Sequence, residues 1–158
     1  MPFWLEIVIN VAFAYLASAC FALTINVPRR VLNLAGMSGI ISWIIYWLAM
    51  RASMGRLLSN LLGSFAIGIL GIVFARMKKC PATVFYIPAI VPLVPGVPAY
   101  QAVRELTSGN LRGANDAVLR VIIVTGSIAL GMLLSNMCVE IFFRIKKFYK
   151  RHLDKYNN

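Results

Sequence analysis

The chain has 158 residues, 60% of them hydrophobic and 13% charged, with a mean hydropathy of +0.78. Soluble domains run at about 45–50% apolar and about 25% charged, so this composition excludes an ordinary water-soluble fold and leaves no room for a soluble domain beside the spans. The net charge of +11 would suggest nucleic acid in a soluble protein, but here the basic residues flank apolar runs, where they act as topology signals and lipid head-group contacts. Nucleic acid is therefore not an expected partner.

The N-terminal stretch MPFWLEIVIN lacks the basic n-region of a cleaved signal peptide and leads straight into the first apolar run, about Trp4–Ile25. A short NVPRR turn follows, with Pro28 suited to the start of the next helix and Asn26 placed to cap that helix or orient the turn. The second run is Val31–Met50 and the third Leu57–Ala75, separated by RASMGR. After RMKKCP the fourth run covers Ala82–Thr107, and after SGNLRGAND the fifth extends from near Ala117 to about Phe143, with Asn115 as its expected N-cap. Each run reaches or nearly reaches the roughly 20 residues a helix needs to cross the hydrocarbon core. The expected fold is all-α integral membrane with about five transmembrane helices. Residues 1–143 form one transmembrane domain and 144–158 a basic cytoplasmic tail.

Five spans place the termini on opposite sides. One side collects Arg29, Arg30, Arg76, Lys78, Lys79 and the tail's Arg144, Lys146, Lys147, Lys150, Arg151 and Lys155. The other holds Arg51, Arg56, Arg104, Arg112 and Arg120, partly offset by Glu105 and Asp116. The positive-inside rule then puts the N-terminus outside and the C-terminus in the cytoplasm. Were the fourth run only to dip into the membrane and return, four spans would remain and this assignment would fail.

Small residues recur at helical spacing: Ala35 and Gly39 in the second run, Asn60, Ser64 and Gly68 with Gly71 in the third, and Ser127, Gly131 and Ser135 in the fifth. Lipid gives no hydrophobic push between helices, so close approach across small residues holds such bundles together. Any one row is explained by internal packing; three exceed the obvious need of a small bundle and suggest a partner. Asn10, Asn33, Asn60 and Asn136 read as interhelical hydrogen bonders, while Glu6 and Glu140 lie near the membrane surfaces, where they reach water. No two of Cys20, Cys80 and Cys138 have metal or redox spacing, and the single histidine, His152, lies in the tail. No metal, cofactor or catalytic residue is expected, which disfavours an integral-membrane lipid-modifying enzyme.

The fourth run contains IPAIVPLVPGVPAY, with Pro88, Pro92, Pro95 and Pro98 around Gly96. A proline in a helix interior removes a hydrogen bond and costs about 3 kcal/mol or more. Irregular backbone at membrane depth survives only where protein or a water-filled cavity satisfies it. The run therefore reads as a discontinuous helix broken at Pro92, Pro95 and Gly96 near mid-membrane, with Pro98 in the first turn of the second half. That half would aim a helix N-terminus, with free N–H groups, at the membrane interior, a site type that binds carboxylates. The blander reading is a kinked helix that only shapes packing.

FALTINVPRRVL (Phe21–Leu32) followed by AIVPLVPGVPAY (Ala89–Tyr100) resembles the small membrane subunit of the threonine/serine exporter family. In that family an N-V-P turn, here Asn26, Val27 and Pro28, follows the first span. A P-x-x-P-G segment with a downstream tyrosine, here Pro92, Pro95, Gly96 and Tyr100, lies in a later span. Length and run order match along essentially all of the chain, while Pro88 and Pro98 depart from the pattern. The resemblance implies a multi-pass protein of the bacterial plasma (inner) membrane. It implies a larger partner subunit with a related membrane region and a cytosolic N-terminal domain. It also implies export of threonine and serine or of succinate-like dicarboxylates. The substrate path would run along Pro92, Pro95, Gly96 and Tyr100, with Tyr100 as hydroxyl contact or gate. The alternatives are a non-transporting structural or regulatory subunit and a self-sufficient channel, the latter weakened by the lack of a charged ring or filter-like repeat.

Overall fold

All five apolar runs are helical in a computed structural model, which describes residues 3–156 and side-chain surroundings for residues 3–146. The elements are α1 (Phe3–Thr24), α2 (Arg29–Arg51), α3 (Gly55–Lys78), α4 (Thr83–Ile90), a 3-10 turn (Val91–Leu93), α5 (Gly96–Thr107) and α6 (Leu111–Tyr156). α1, α2, α3 and α6 are each long and apolar enough to cross a bilayer, and α4 with the 3-10 turn and α5, a pair bent by 55°, is together long and apolar enough for a fifth, broken span. The chain is an all-α, multi-pass membrane protein.

Left-handed residues end four helices: Asn26 (φ 57°), Ser53 (58°), Lys79 (53°) and Gly109 (77°). Behind each, the next N–H reaches a carbonyl five residues back: Val27 to Ala22, Met54 to Ala49, Cys80 to Ala75 and Asn110 to Glu105. This is the Schellman closure, which satisfies carbonyls a helix end leaves open. Asn26 thus ends α1 and orients the turn, while Pro28 takes the position just before α2. At the last turn Asn110 also accepts the Gly113 N–H at 3.2 Å, so α6 starts at Leu111. The expected cap Asn115 lies inside the helix, because one residue both closes α5 and opens α6.

The bundle is inverted relative to a soluble protein. Ala22, Ala35, Ser18, Ser42, Ser64 and Ser135 are buried, while Trp4, Phe13, Leu23, Ile122 and Leu133 are exposed. That distribution suits lipid outside and small-residue packing inside. Gly131 of α6 faces Ser64 and the Leu61 carbonyl of α3, and Gly68 of α3 faces Ser135, so α3 and α6 run parallel with a fixed offset. Gly39 of α2 sits against Ser18 of α1. All three small-residue rows are therefore used within the chain, and none is left over as a spare face. Buried serine hydroxyls return their hydrogens to their own helices, as Ser38 does to Ala35 and Ser127 to Val124. Among the described residues Ser18 Oγ alone is buried without a partner.

Glycines also seat rings that bridge helices. Tyr15 lies over Gly36 and donates to Asn33 Oδ1 at 3.0 Å. Tyr86 lies over Gly71 and donates to Asn136 Oδ1 at 3.1 Å. Trp43 donates to Asn10 Oδ1 at 2.7 Å. Three of the four expected asparagines thus bond across helices; Asn60 instead donates to the Arg56 carbonyl of its own helix.

Arg29, Arg30, Arg76, Lys78 and Lys79 collect at one end, as expected, and Arg51, Arg56, Arg104 and Arg112 at the other. Arg30 reaches Cys80 Sγ at 3.8 Å, and the Arg76 guanidinium lies 3.3 Å from the Phe143 ring centre. The side chains of Lys147, Lys150, Arg151 and Lys155 fall outside those described. At the other end Glu6 pairs with Arg51, which packs on Trp47 and Phe3. α6 has 46 residues and so extends about 69 Å, against a hydrocarbon core of about 30 Å. Its first turns lie past α3 and form an antiparallel hairpin with α5, which packs on α6.

Candidate functional site

The break in the fourth span follows from a count of donors. A helical carbonyl takes its hydrogen from the N–H four residues on. Pro92, Pro95 and Pro98 remove those donors from Pro88, Val91 and Val94. Each carbonyl finds a nearer one. Val91 N–H reaches Pro88 O, Val94 N–H reaches Val91 O at 3.4 Å, and Gly96 N–H reaches Val94 O at 2.8 Å. The first two closures wind the chain into a 3-10 turn. The third is an inverse γ-turn centred on Pro95 (φ −77°, ψ 56°), and it turns the path into α5. Ser42 of α2 adds a hydroxyl to the Ala89 carbonyl at 3.4 Å. Leu93 packs over Gly63, about 12 Å along α3 from Gly55. The break thus lies on the Arg51–Arg56 side of the middle of α3 and level with the middle of α2.

A cavity of about 420 Å³ opens on the inner side of this break. Pro92, Pro95 and Gly96 form one wall, Trp43 and Tyr46 of α2 another. Arg56 and Asn60 of α3, Gln101 of α5, and Arg120 and Val124 of α6 complete it. Two of its lining side chains are cationic and none is acidic. Asn60 is only 2% exposed, and its amide nitrogen is taken by the Arg56 carbonyl at 2.7 Å. A second cavity, about 310 Å³, is lined by Asn10, Phe13, Ala14 and Ala17 of α1 and again by Trp43 and Pro92. Trp43, held by its bond to Asn10, and Pro92 are thus the wall between the two.

Three of the four path residues expected from sequence line the larger cavity. Tyr100 does not: it is 68% exposed on α5, and its neighbour Gln101 faces the cavity instead. Asn26, Val27 and Pro28 lie at the opposite end, where Val27 packs with Val31, Ala75 and Phe85. The α5 N-terminus is also poorer in donors than a free helix end. Gly96 N–H is bound to Val94 O, and Pro98 has none, which leaves Val97 as the first-turn N–H without a backbone partner. Arg56, Asn60, Gln101 and Arg120 were not expected at the site. The available signal was Arg120, which interrupts AVLRVII inside the fifth apolar run rather than flanking it.

The family described as Threonine/Serine exporter, ThrE matches residues 10–138. The chain belongs to the threonine/serine exporter family. An uncharacterized protein of Haemophilus influenzae is 25% identical over 152 residues, covering 91% of this chain and 50% of that protein. The chain therefore spans about half the length of this relative. No solved structure matches.

Proposed function

We propose that this chain is the membrane subunit of a secondary exporter for small carboxylate-bearing metabolites, threonine and serine or succinate-like dicarboxylates. It acts with a larger partner in the bacterial plasma membrane. The observation that carries the reading is the 420 Å³ cavity built on the Pro92–Gly96 break, basic and free of acids, in a chain of the exporter family. Broken spans of this kind line substrate sites in secondary transporters. The basic end, continued by the tail from residue 144, faces the cytoplasm in this reading, with the N-terminus outside.

The test is efflux of labelled threonine, serine and succinate from preloaded cells that carry this chain alone, a larger partner subunit alone, or both. Efflux requiring both is the expected result; equal retention in all three strains refutes it. Gly96→Leu is the sharpest variant, because a Cβ at Gly96 meets nothing within 4 Å. The substitution therefore adds bulk at the break without a Cβ clash. Normal export by an inserted Gly96→Leu protein would remove the break from the path.

A further inference from the structure

Resting on that reading, we infer that Arg56 and Arg120 together form the carboxylate seat of the break cavity, and that they, rather than the α5 N-terminus, supply its positive charge. The two guanidiniums come from different helices, α3 and α6, and line the same cavity. Among the described residues the ion pairs are Arg51–Glu6 and Arg144–Glu140, so neither Arg56 nor Arg120 has a carboxylate partner. Asp116, one turn before Arg120, and Glu105 line a neighbouring cleft that Arg120 and Gln101 border as well, yet neither carboxylate lies within ion-pair distance of Arg120. A guanidinium not paired with an acid is open to an incoming anion, and its planar donor fork matches a carboxylate.

The backbone points the same way. With Gly96 N–H committed and Pro98 lacking one, the helix end offers one donor where a free end offers several. The cavity's anion affinity must then come mainly from side chains. Asn60 and Gln101 add amides, whose carbonyl oxygens suit the hydroxyl or ammonium of a substrate held by its carboxylate. The α3–α6 interface is locked at Gly131 and Gly68, so the helices carrying both guanidiniums are held in fixed register.

The test is arginine modification by phenylglyoxal on the purified chain in nanodiscs, read by mass spectrometry at each arginine. The protecting probes are succinate, threonine, inorganic phosphate and the neutral succinamide. Arg56 and Arg120 should be protected together, at one half-protecting concentration, by succinate or threonine and not by succinamide, while Arg104 and Arg112 stay reactive. Arg56→Gln should raise the concentration that protects Arg120 by about tenfold or more, the scale of one lost charge-assisted hydrogen bond, with Arg56→Lys intermediate. Protection of one arginine alone, equal protection by succinamide, better protection by phosphate than by either carboxylate, or no protection overturns the inference. Joint protection without efflux of either compound would retain the seat and refute the transport reading. Efflux that stops with Gly96→Leu but persists unchanged in Arg56→Gln and Arg120→Gln would do the reverse.

Discussion

Gly131→Ala tests whether close backbone approach holds this bundle together. A Cβ at Gly131 would lie 2.5 Å from the Leu61 carbonyl oxygen and 3.1 Å from the Phe65 amide nitrogen, besides crowding Ser64 Oγ. A flexible side chain could swing aside; two backbone atoms of α3 cannot, so the helices must separate along their largest interface. Overpacking costs about 1–3 kcal/mol, and a clash with backbone belongs at or above the upper end, about 3 kcal/mol. Gly126, on the same helix, has nothing within 4 Å of its Cβ position. There alanine should be neutral or stabilise by about 0.5–1 kcal/mol through helix entropy. Unfolding in mild detergent, titrated with a denaturing detergent and followed by circular dichroism, compares the two. Wild-type stability in Gly131→Ala, or an equal loss in Gly126→Ala, would refute the packing argument.

At Asn26, glycine should be tolerated and valine should cost about 1–2 kcal/mol in the same titration, because φ 57° penalises a β-branched residue. Tyr86→Phe removes the hydroxyl bridge to Asn136 and should cost about 1 kcal/mol, with a double-mutant coupling below about 1.7 kcal/mol. Trp43→Ala removes the wall between the two cavities. In a background without native cysteines, an Ala17→Cys thiol should then react with a small hydrophilic reagent added from the Arg56 side, and resist it when Trp43 is present. Reaction at equal rates in both proteins would mean the cavities are already joined.

The spans, the basic end and the proline break were legible because each rests on local chemistry: run length, flanking charge and missing N–H groups. Partnering was not. The small-residue rows suggested a spare face, yet Gly131, Gly68 and Gly39 all meet residues of this chain. A repeat of small residues gives a helix a flat side without saying which helix lies on it. Asn115 failed as a cap because the sequence offers two asparagines after Gly109, and the choice depends on Asn110 closing α5 as well. Arg56 and Arg120 lie sixty-odd positions apart and line one cavity only because α3 and α6 run parallel, a tertiary fact that no local pattern carries. Tyr100 was one helical step from the residue that faces the cavity, Gln101.

The same contacts limit how such a passage could open. Sliding α3 against α6 would drive Gly131 and Gly68 off their seats and bring side chains into backbone, so these two helices move as a unit or not at all. α1 and α2 are tied likewise by Gly39 on Ser18 and by the Tyr15–Asn33 bond. The fourth span differs: α4 is wedged among α1, α2 and α3, while α5 packs on α6, and the two meet at a turn held by single short-range hydrogen bonds at Val91 and Val94. A change of angle at Pro95 leaves the α3–α6 and α1–α2 seats in place and has only to shift α5 on α6. It would shift Gln101 of α5 relative to Pro92 and Trp43 across the larger cavity. If transport widens the larger cavity by this hinge, locking α5 to α4 across Pro95 should stop export while leaving the cavity's lining residues in place.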